Sequence, residues 1–560
     1  MPEEYQINGA RFISQTLKDY GVTHVFYVDA ILRKAMVDME EMGIRRVVTH
    51  SEKAAAYMAD GYARISKRPG VCMAQSVGAA NLAAGLQDAF LSGTPVIALS
   101  GKKPPFWQYR NAYQEINHWP MFEPVTKYNV DVTNPEQLPY LLRQAFRESV
   151  SGKPGPVHLD LVGREARELE ISSINCPVIA DKQFLNYPPF RPAPDQYFIE
   201  EAARAIGSAV RPIIVAGGGV RISDAAQELV ALAEKCQIPV ATSVDGKGSI
   251  SEIHPLSVGV AGHYSSWCAN KAVCEADLVI FVGSATGDQT TNSWRVPEIN
   301  TRIIQIDIDP TELGRSYPNT IGLMGDAKVT LQHLIDAVHP STGNTEWLTR
   351  TRSLVSDWLQ EVNPLRYSNE TPIRPERICK ELTDYLPENA IMVTDTGYSA
   401  IWAATMLHIT KPNQTFLRAA GSLGWGFPAS LGAKCAAPDR PVICFTGDGG
   451  FWYHFAELET ARRHNINTVT VVNNNNGLSQ GIEDVHNMYG SRPGNPSELY
   501  RFENVSFAKI ALDIGCVGIR VEKPEEISPA LQQALQATRP VVVEVMTDFS
   551  ARVPNPWTPN

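Results

Sequence analysis

The chain has 560 residues, 44% hydrophobic and 20% charged, with a formal net charge of −10. That length suggests three or four domains, excludes a small binding module, and leaves enough apolar residues for large cores. No run of five or more Lys/Arg occurs, so the electrostatic footprint of a nucleic-acid binder is absent. The N-terminus lacks an apolar secretory core and no window reaches a membrane span, so the expectation is a cytoplasmic protein with no membrane partner. Nine scattered cysteines without a C-x-x-C pair read as reduced thiols rather than a zinc site.

In chain order, three segments alternate short β-branched runs with longer amphipathic runs, the pattern of parallel sheets covered by helices. The expected fold is therefore α/β, with three doubly wound domains over residues 1–180, 198–338 and 372–560. The first has strands around Val25-Phe26, Arg46–Val48, Val71–Met73, Pro95–Leu99 and Val157–Leu161. Tyr187 to Pro194 is proline-rich and suits an extended linker. The second domain has strands at Ile213–Ala216, Leu278–Val282 and Ile303–Ile308, and fits a six-stranded unit. A further linker is expected from about His339 to Pro375. In the third domain the strands are Ala390–Val393, Val442–Phe445, Thr468–Val472 and Pro540–Val545.

The chemistry concentrates in this last domain. Gly447-Asp448-Gly449-Gly450 follows one apolar strand, and Asn473-Asn474-Asn475-Asn476-Gly477 ends the next. Asn475 lies 27 residues after Asp448, the length of a strand-end, helix, strand-end unit. A carboxylate and an amide then meet at the carboxyl edge of a parallel sheet, where α/β folds bind ligands. Such hard oxygen donors suit Mg²⁺, and the glycines let phosphate oxygens approach backbone N–H groups.

These motifs resemble the signature of thiamine diphosphate-dependent enzymes, specifically the branch of acetolactate synthases and 2-oxo acid decarboxylases. The resemblance implies pyrimidine-binding, central and diphosphate-binding domains, with Asp448, Asn475 and the Gly477 carbonyl holding Mg²⁺. Leu423, 25 residues before Asp448, matches the large apolar residue that bends the cofactor, and Gly421 matches the carbonyl that accepts from its aminopyrimidine. Gly397, Tyr398, Ser399, Gly449 and Gly450 match the diphosphate-binding positions; Gly450 replaces a serine common among relatives. Glu52, in H-S-E-K-A-A-A-Y-M-A-D-G-Y-A-R, matches the acid that activates the pyrimidine and drives loss of the thiazolium C2 proton.

Gln114, in A-Y-Q-E, matches an active-site wall residue, with Tyr113 beside it. Tyr27-Val28-Asp29-Ala30 replaces a glycine–proline turn and puts Tyr27 and Asp29 at the expected substrate end. Asp484 stands where acetolactate synthases acting on a second 2-oxo acid have tryptophan. The FAD-associated R-F-D-D-R run is missing, with Ser284–Gln289 in its place, so FAD is not expected. Gly217–Gly219 with Asp307 and Asp309 leave an ADP-like ligand open.

The resulting expectation is decarboxylation of a 2-oxo acid, carboligation, or both, on a small carbonyl substrate. A C–C hydrolase or lyase acting on a 1,2-diketone or acyloin is the alternative, as is a non-catalytic cofactor-binding homologue. The resemblance also implies a homodimer or homotetramer with active sites between chains.

Overall fold

The computed structural model describes residues 6–341 and 344–559. Residues 1–5, in the first expected domain, and 342–343, in the second expected linker, lie outside them. Three six-stranded sheets form, and every pair within them is parallel. Their strands are nearly continuous apolar runs, as in Val96–Lys102 and Leu278–Val282, because helices cover both faces.

The N-terminal sheet runs Arg45–Val48, His24–Tyr27, Gly70–Gln75, Val96–Lys102, Val157–Val162 and Tyr128–Val132 in spatial order. The C-terminal sheet runs Thr415–Arg418, Ile391–Thr394, Val442–Gly447, Val469–Asn474, Val541–Met546 and Val517–Val521. Taken in chain order within each sheet, the strands follow one scheme in both, second-first-third-fourth-sixth-fifth. The central sheet differs: Ser257–Val260, Val240–Thr242, Pro212–Ala216, Leu278–Val282, Arg302–Asp307 and Thr320–Met324 make a third-second-first-fourth-fifth-sixth order. Each order has a switch point, where the connections leaving two adjacent strands diverge and open a crevice.

The stretch from His339 to Pro375 departs from the linker expected there. Thr345–Arg366 is a helix capped by Asn344, and Trp347, Leu354, Trp358 and Val362 are buried along it. Those positions recur at helical spacing, so packing overrides the polar composition. Tyr187–Pro194 does form a non-helical connection, although it is pinned: the Tyr187 hydroxyl donates to the Ala63 carbonyl and Arg191 pairs with Asp326.

The N- and C-terminal domains meet through helices Glu52–Ser66 and Gly426–Ala436. A Cβ on Gly61 would stand 2.0 Å from the Ala429 carbonyl oxygen, and one on Gly432 1.9 Å from that of Met58. Only glycine permits this approach of two backbones. No helix among the described residues is long and apolar enough to cross a membrane.

Candidate active site

The C-terminal sheet positions the site at its switch point. Ile391–Thr394 and Val442–Gly447 are neighbours, and their chain continues into Asp395–Ser399 and Asp448–Gly450 respectively. Gly447 pairs in register with Asn473, which places the G-D-G turn beside the asparagine run. A cavity of about 360 Å³ opens there. Gly397, Tyr398, Ser399, Gly421, Leu423, Asp448, Gly449, Gly450, Asn475 and Gly477 all line it.

The asparagine run divides its labour. Asn474 turns away and donates to the buried Glu544, while Asn473 donates to Ser399 Oγ at 3.4 Å. Asn475 faces the cavity: its amide nitrogen donates to Ser479 Oγ at 3.2 Å, and its buried Oδ1 has no partner. Asp448 Oδ2 accepts from the Gly477 N–H at 2.8 Å, and burial pushes its carboxyl up to about 7, against the pull of that bond. An orphaned amide oxygen beside a buried carboxylate is a donor set that a hard divalent cation satisfies. The residues present therefore fit Mg²⁺.

The glycines keep the backbone close where a side chain would crowd the cavity. Gly397 has φ +70°, and a Cβ on Gly449 would stand 2.5 Å from Leu478 Cδ2. At Gly450 a Cβ would meet Thr446 Oγ1 at 2.9 Å and the Asp395 carboxyl carbon at 3.0 Å, so glycine suits this position.

The loop bearing Leu423 is clamped by two buried carboxylates whose role the sequence did not reveal. Asp395 accepts from the N–H groups of Thr396, Gly424 and Gly426, and burial raises its carboxyl to about 6. From the N-terminal domain, Asp88 accepts from Ala420 and Ser422 N–H. Behind the loop, Trp425 Nε1 donates to Asp60, whose carboxylate forms a two-point pair with Arg64. The Arg64 guanidinium lies 4.4 Å from the Trp425 ring centre and also reaches Asp88. Thus the D-G-Y-A-R end of the Glu52 helix supports Leu423 within the same chain. Removing one partner of such a buried pair strands the other, at about 3–5 kcal/mol.

Glu52 opens its helix at the carboxyl edge of the N-terminal sheet. Its Oε2 accepts from Asn81 Nδ2 at 3.1 Å, and a Cβ on Gly78 would stand 2.5 Å from Oε1. The structure does not bring Glu52 to the Asp448 cavity, which none of the described N-terminal-domain residues lines. Gln114 lines a separate recess on the Glu52 side, and Tyr113 is exposed. Tyr27 is half-buried, and exposed Asp29 is paired with Arg33 at 2.7 Å. Neither lines the Asp448 cavity. Asp484 is exposed on helix Ile482–Tyr489. Sequence reasoning gave no role to Thr396, Trp402, Gly447, Asn473, Leu478, Ser479 and Gln480, which complete the lining. Proximity to Gly397 and Gly477 along the chain was the available signal for most of them.

In the central domain, Gly217–Gly219, Ser284 and Asp307 line a cavity of about 260 Å³ at the sheet's switch point. Asp309 is outside that lining and accepts from Thr311.

Three family models match this chain. They are the N-terminal TPP binding domain of thiamine pyrophosphate enzymes at residues 7–121, the central domain at 199–334, and the C-terminal TPP binding domain at 395–545. The chain belongs to the thiamine pyrophosphate enzyme family. Among curated relatives of this thiamine pyrophosphate enzyme, the probable acetolactate synthase large subunit of Methanocaldococcus jannaschii is 35% identical, covering 98% of this chain and 93% of the relative. The corresponding protein of Methanococcus aeolicus is 34% identical over 97% and 93%, and the acetolactate synthase large subunit of Corynebacterium glutamicum 32% over 98% and 88%. The protein is thus a thiamine diphosphate- and Mg²⁺-dependent enzyme of the acetolactate synthase-like branch, built from the three α/β domains of that family. Its chemistry is the cleavage or formation of a carbon–carbon bond beside a carbonyl.

Proposed function

We propose that the enzyme decarboxylates a 2-oxo acid and joins the remaining carbon unit to a second carbonyl compound, in a site shared between two copies of the chain. The observation that carries this reading is the division of the site: metal and diphosphate donors line one cavity of the C-terminal domain, while Glu52 stands apart on the N-terminal domain. One chain supplies both halves without joining them. Twofold symmetry lets Glu52 of one copy face the Asp448 cavity of another, giving two equivalent sites per dimer. Exposed apolar side chains flank both halves, with Phe106, Trp107, Tyr109 and Tyr113 near Gln114 and Leu478, Met488, Leu499 and Phe502 near Gly477. Burial of such groups is what an obligate interface requires. Pairing of dimers would give a tetramer.

In this reading Asp448 Oδ, Asn475 Oδ1 and the Gly477 carbonyl hold Mg²⁺, and the N–H groups around Gly397–Ser399, Gly449 and Gly450 receive the diphosphate. Leu423 props the cofactor, and the Gly421 carbonyl accepts from its amino group. Glu52 hydrogen-bonds the pyrimidine, kept in orientation by Asn81. When bound, thiamine diphosphate supplies the nucleophilic carbon and the electron sink. Gln114, Tyr27 and Asp29 face the substrate end of the shared cleft. Asp29 then meets substrate with its charge offset by Arg33.

The test is carbon dioxide release from a panel of 2-oxo acids, pyruvate included, by protein loaded with thiamine diphosphate and Mg²⁺. Release that needs both cofactors is expected; turnover of 1,2-diketones alone would favour a hydrolase. The central domain lacks the FAD-associated run, so the purified protein should be colourless. A stoichiometric flavin band surviving desalting would overturn that expectation.

A further inference from the structure

A second recess, of about 350 Å³, lies at the carboxyl edge of the N-terminal sheet, lined in part by Ser76, Lys102, Gln114, Glu115, His118 and Asp131. It adjoins Glu52, because Ser76 is two residues before Gly78, whose position packs against the Glu52 carboxylate.

His118 is only 1% exposed, and its two ring nitrogens have different surroundings. Nδ1 lies 3.0 Å from Asp160 Oδ2, whereas Nε2 is buried without a partner. Asp160 also accepts from Ser100 Oγ at 2.7 Å and lies 3.5 Å from Lys102 Nζ. His158, across Ser100, completes the polar groups around the ring. Burial works against ionisation of Asp160, yet the His118 hydrogen bond and nearby positive charge hold its carboxyl below the usual range. A carboxylate on Nδ1 fixes the ring and leaves Nε2 as the unpartnered nitrogen of a residue that lines the recess. An unpartnered buried nitrogen is a standing cost that a ligand atom removes.

The charges around the recess indicate what that ligand is. Lys102 is paired with Asp131 at 2.8 Å and Lys103 with Glu165, while Glu115 also lines the space. With Asp160 behind them, carboxylates outnumber ammonium groups, so a second 2-oxo acid would bring its charge into a negative surplus. We infer that His118, oriented by Asp160, receives the carbonyl oxygen of an uncharged acceptor, an aldehyde, and transfers a proton to it. This rests on the carboligase reading above. The carbon left by decarboxylation bonds to the aldehyde carbon, the carbonyl π pair moves to oxygen, and that oxygen takes a proton from His118 Nε2. The hydroxyl on the donor-derived carbon loses its proton as that carbon becomes the product's ketone, and this proton restores Nε2, so no external oxidant or reductant is required.

The experiment supplies holoenzyme with pyruvate as donor and either acetaldehyde or more pyruvate as acceptor, and follows carbon dioxide, acetoin and acetolactate separately. The wild-type protein should prefer acetaldehyde by about tenfold or more in kcat/KM. In His118→Asn, acetoin should fall by about a hundredfold, the range of acid–base assistance, while the carbon dioxide released in a single turnover stays within about twofold, because that step precedes binding of the acceptor. His118→Gln provides a second variant if the first melts early. Asp131→Asn, which removes one carboxylate from the lining, should raise the use of pyruvate as acceptor several-fold. An unchanged acetoin-to-carbon dioxide ratio in a folded His118 variant, or an equal fall of both products, overturns the inference. Preference of the wild-type protein for pyruvate as acceptor overturns it alone; no carbon dioxide from any 2-oxo acid overturns the carboligase reading with it.

Discussion

Asp448→Ala protein should purify without thiamine diphosphate and show no rise in melting temperature when cofactor and Mg²⁺ are added. Asp448 is the one carboxylate among the described residues lining the cavity, so its removal leaves a divalent cation only neutral donors from the protein. A ligand at a hundred times its Kd stabilises the folded state by about 2.7 kcal/mol, and that increment should vanish with the binding. Asp448→Asn separates charge from shape, since an amide oxygen can still accept from the Gly477 N–H. It should fold normally and recover only a small part of the melting shift. A wild-type shift in the alanine protein would remove the metal assignment.

Glu52→Gln should behave in the opposite way, binding cofactor but failing to activate it. The side chain is only partly buried and its protein contact is Asn81, whose amide can pair with a glutamine, so stability should change little. What is lost is the acid that the proposed reading assigns to the pyrimidine. Exchange of the thiazolium C2 proton, followed by quenching in deuterated buffer and NMR, should slow by about ten- to a thousandfold. Retained melting shift with slowed exchange would distinguish this variant from Asp448→Ala; unchanged exchange would sink the role of Glu52.

The grouping of residues that line the C-terminal cavity was legible because it depends on chain-local features. Asp448 and Asn475 end successive strands, so their spacing is fixed by one helix and two strands, and the apolar runs before them mark those strand ends. The resemblance added Leu423 and Glu52 through short motifs of the same kind. By contrast, Asp60, Asp88 and Asp395 accept from Trp425, Ala420 and Gly426 across 365, 332 and 31 residues of sequence respectively. No local pattern announces such pairings, and Asp60 and Arg64 entered only as members of the motif around Glu52. Three of the unread strands have a related cause. Tyr128–Val132 and Val517–Val521 are half-exposed edge strands with polar residues among the apolar ones, and Thr415–Arg418 is an edge strand of four residues. Edge positions need only one buried side and so lose the continuous apolar run that marked the interior strands. The recess at His118 was hidden for the same reason as the clamps, because Ser100, His118 and Asp160 converge from three separate segments of the N-terminal domain.

The central claim is that one working site needs Glu52 from one copy and Asp448 from another. Glu52→Gln and Asp448→Ala proteins, each inactive alone, can be dissociated, mixed and reassociated, with mixed dimers verified by differential tags. A dimer containing one of each has one site carrying both substitutions and one carrying neither. The account predicts that purified mixed dimers recover up to half of the wild-type activity per dimer. Proven mixed dimers without activity, or a fully active wild-type monomer in sedimentation, would contradict it.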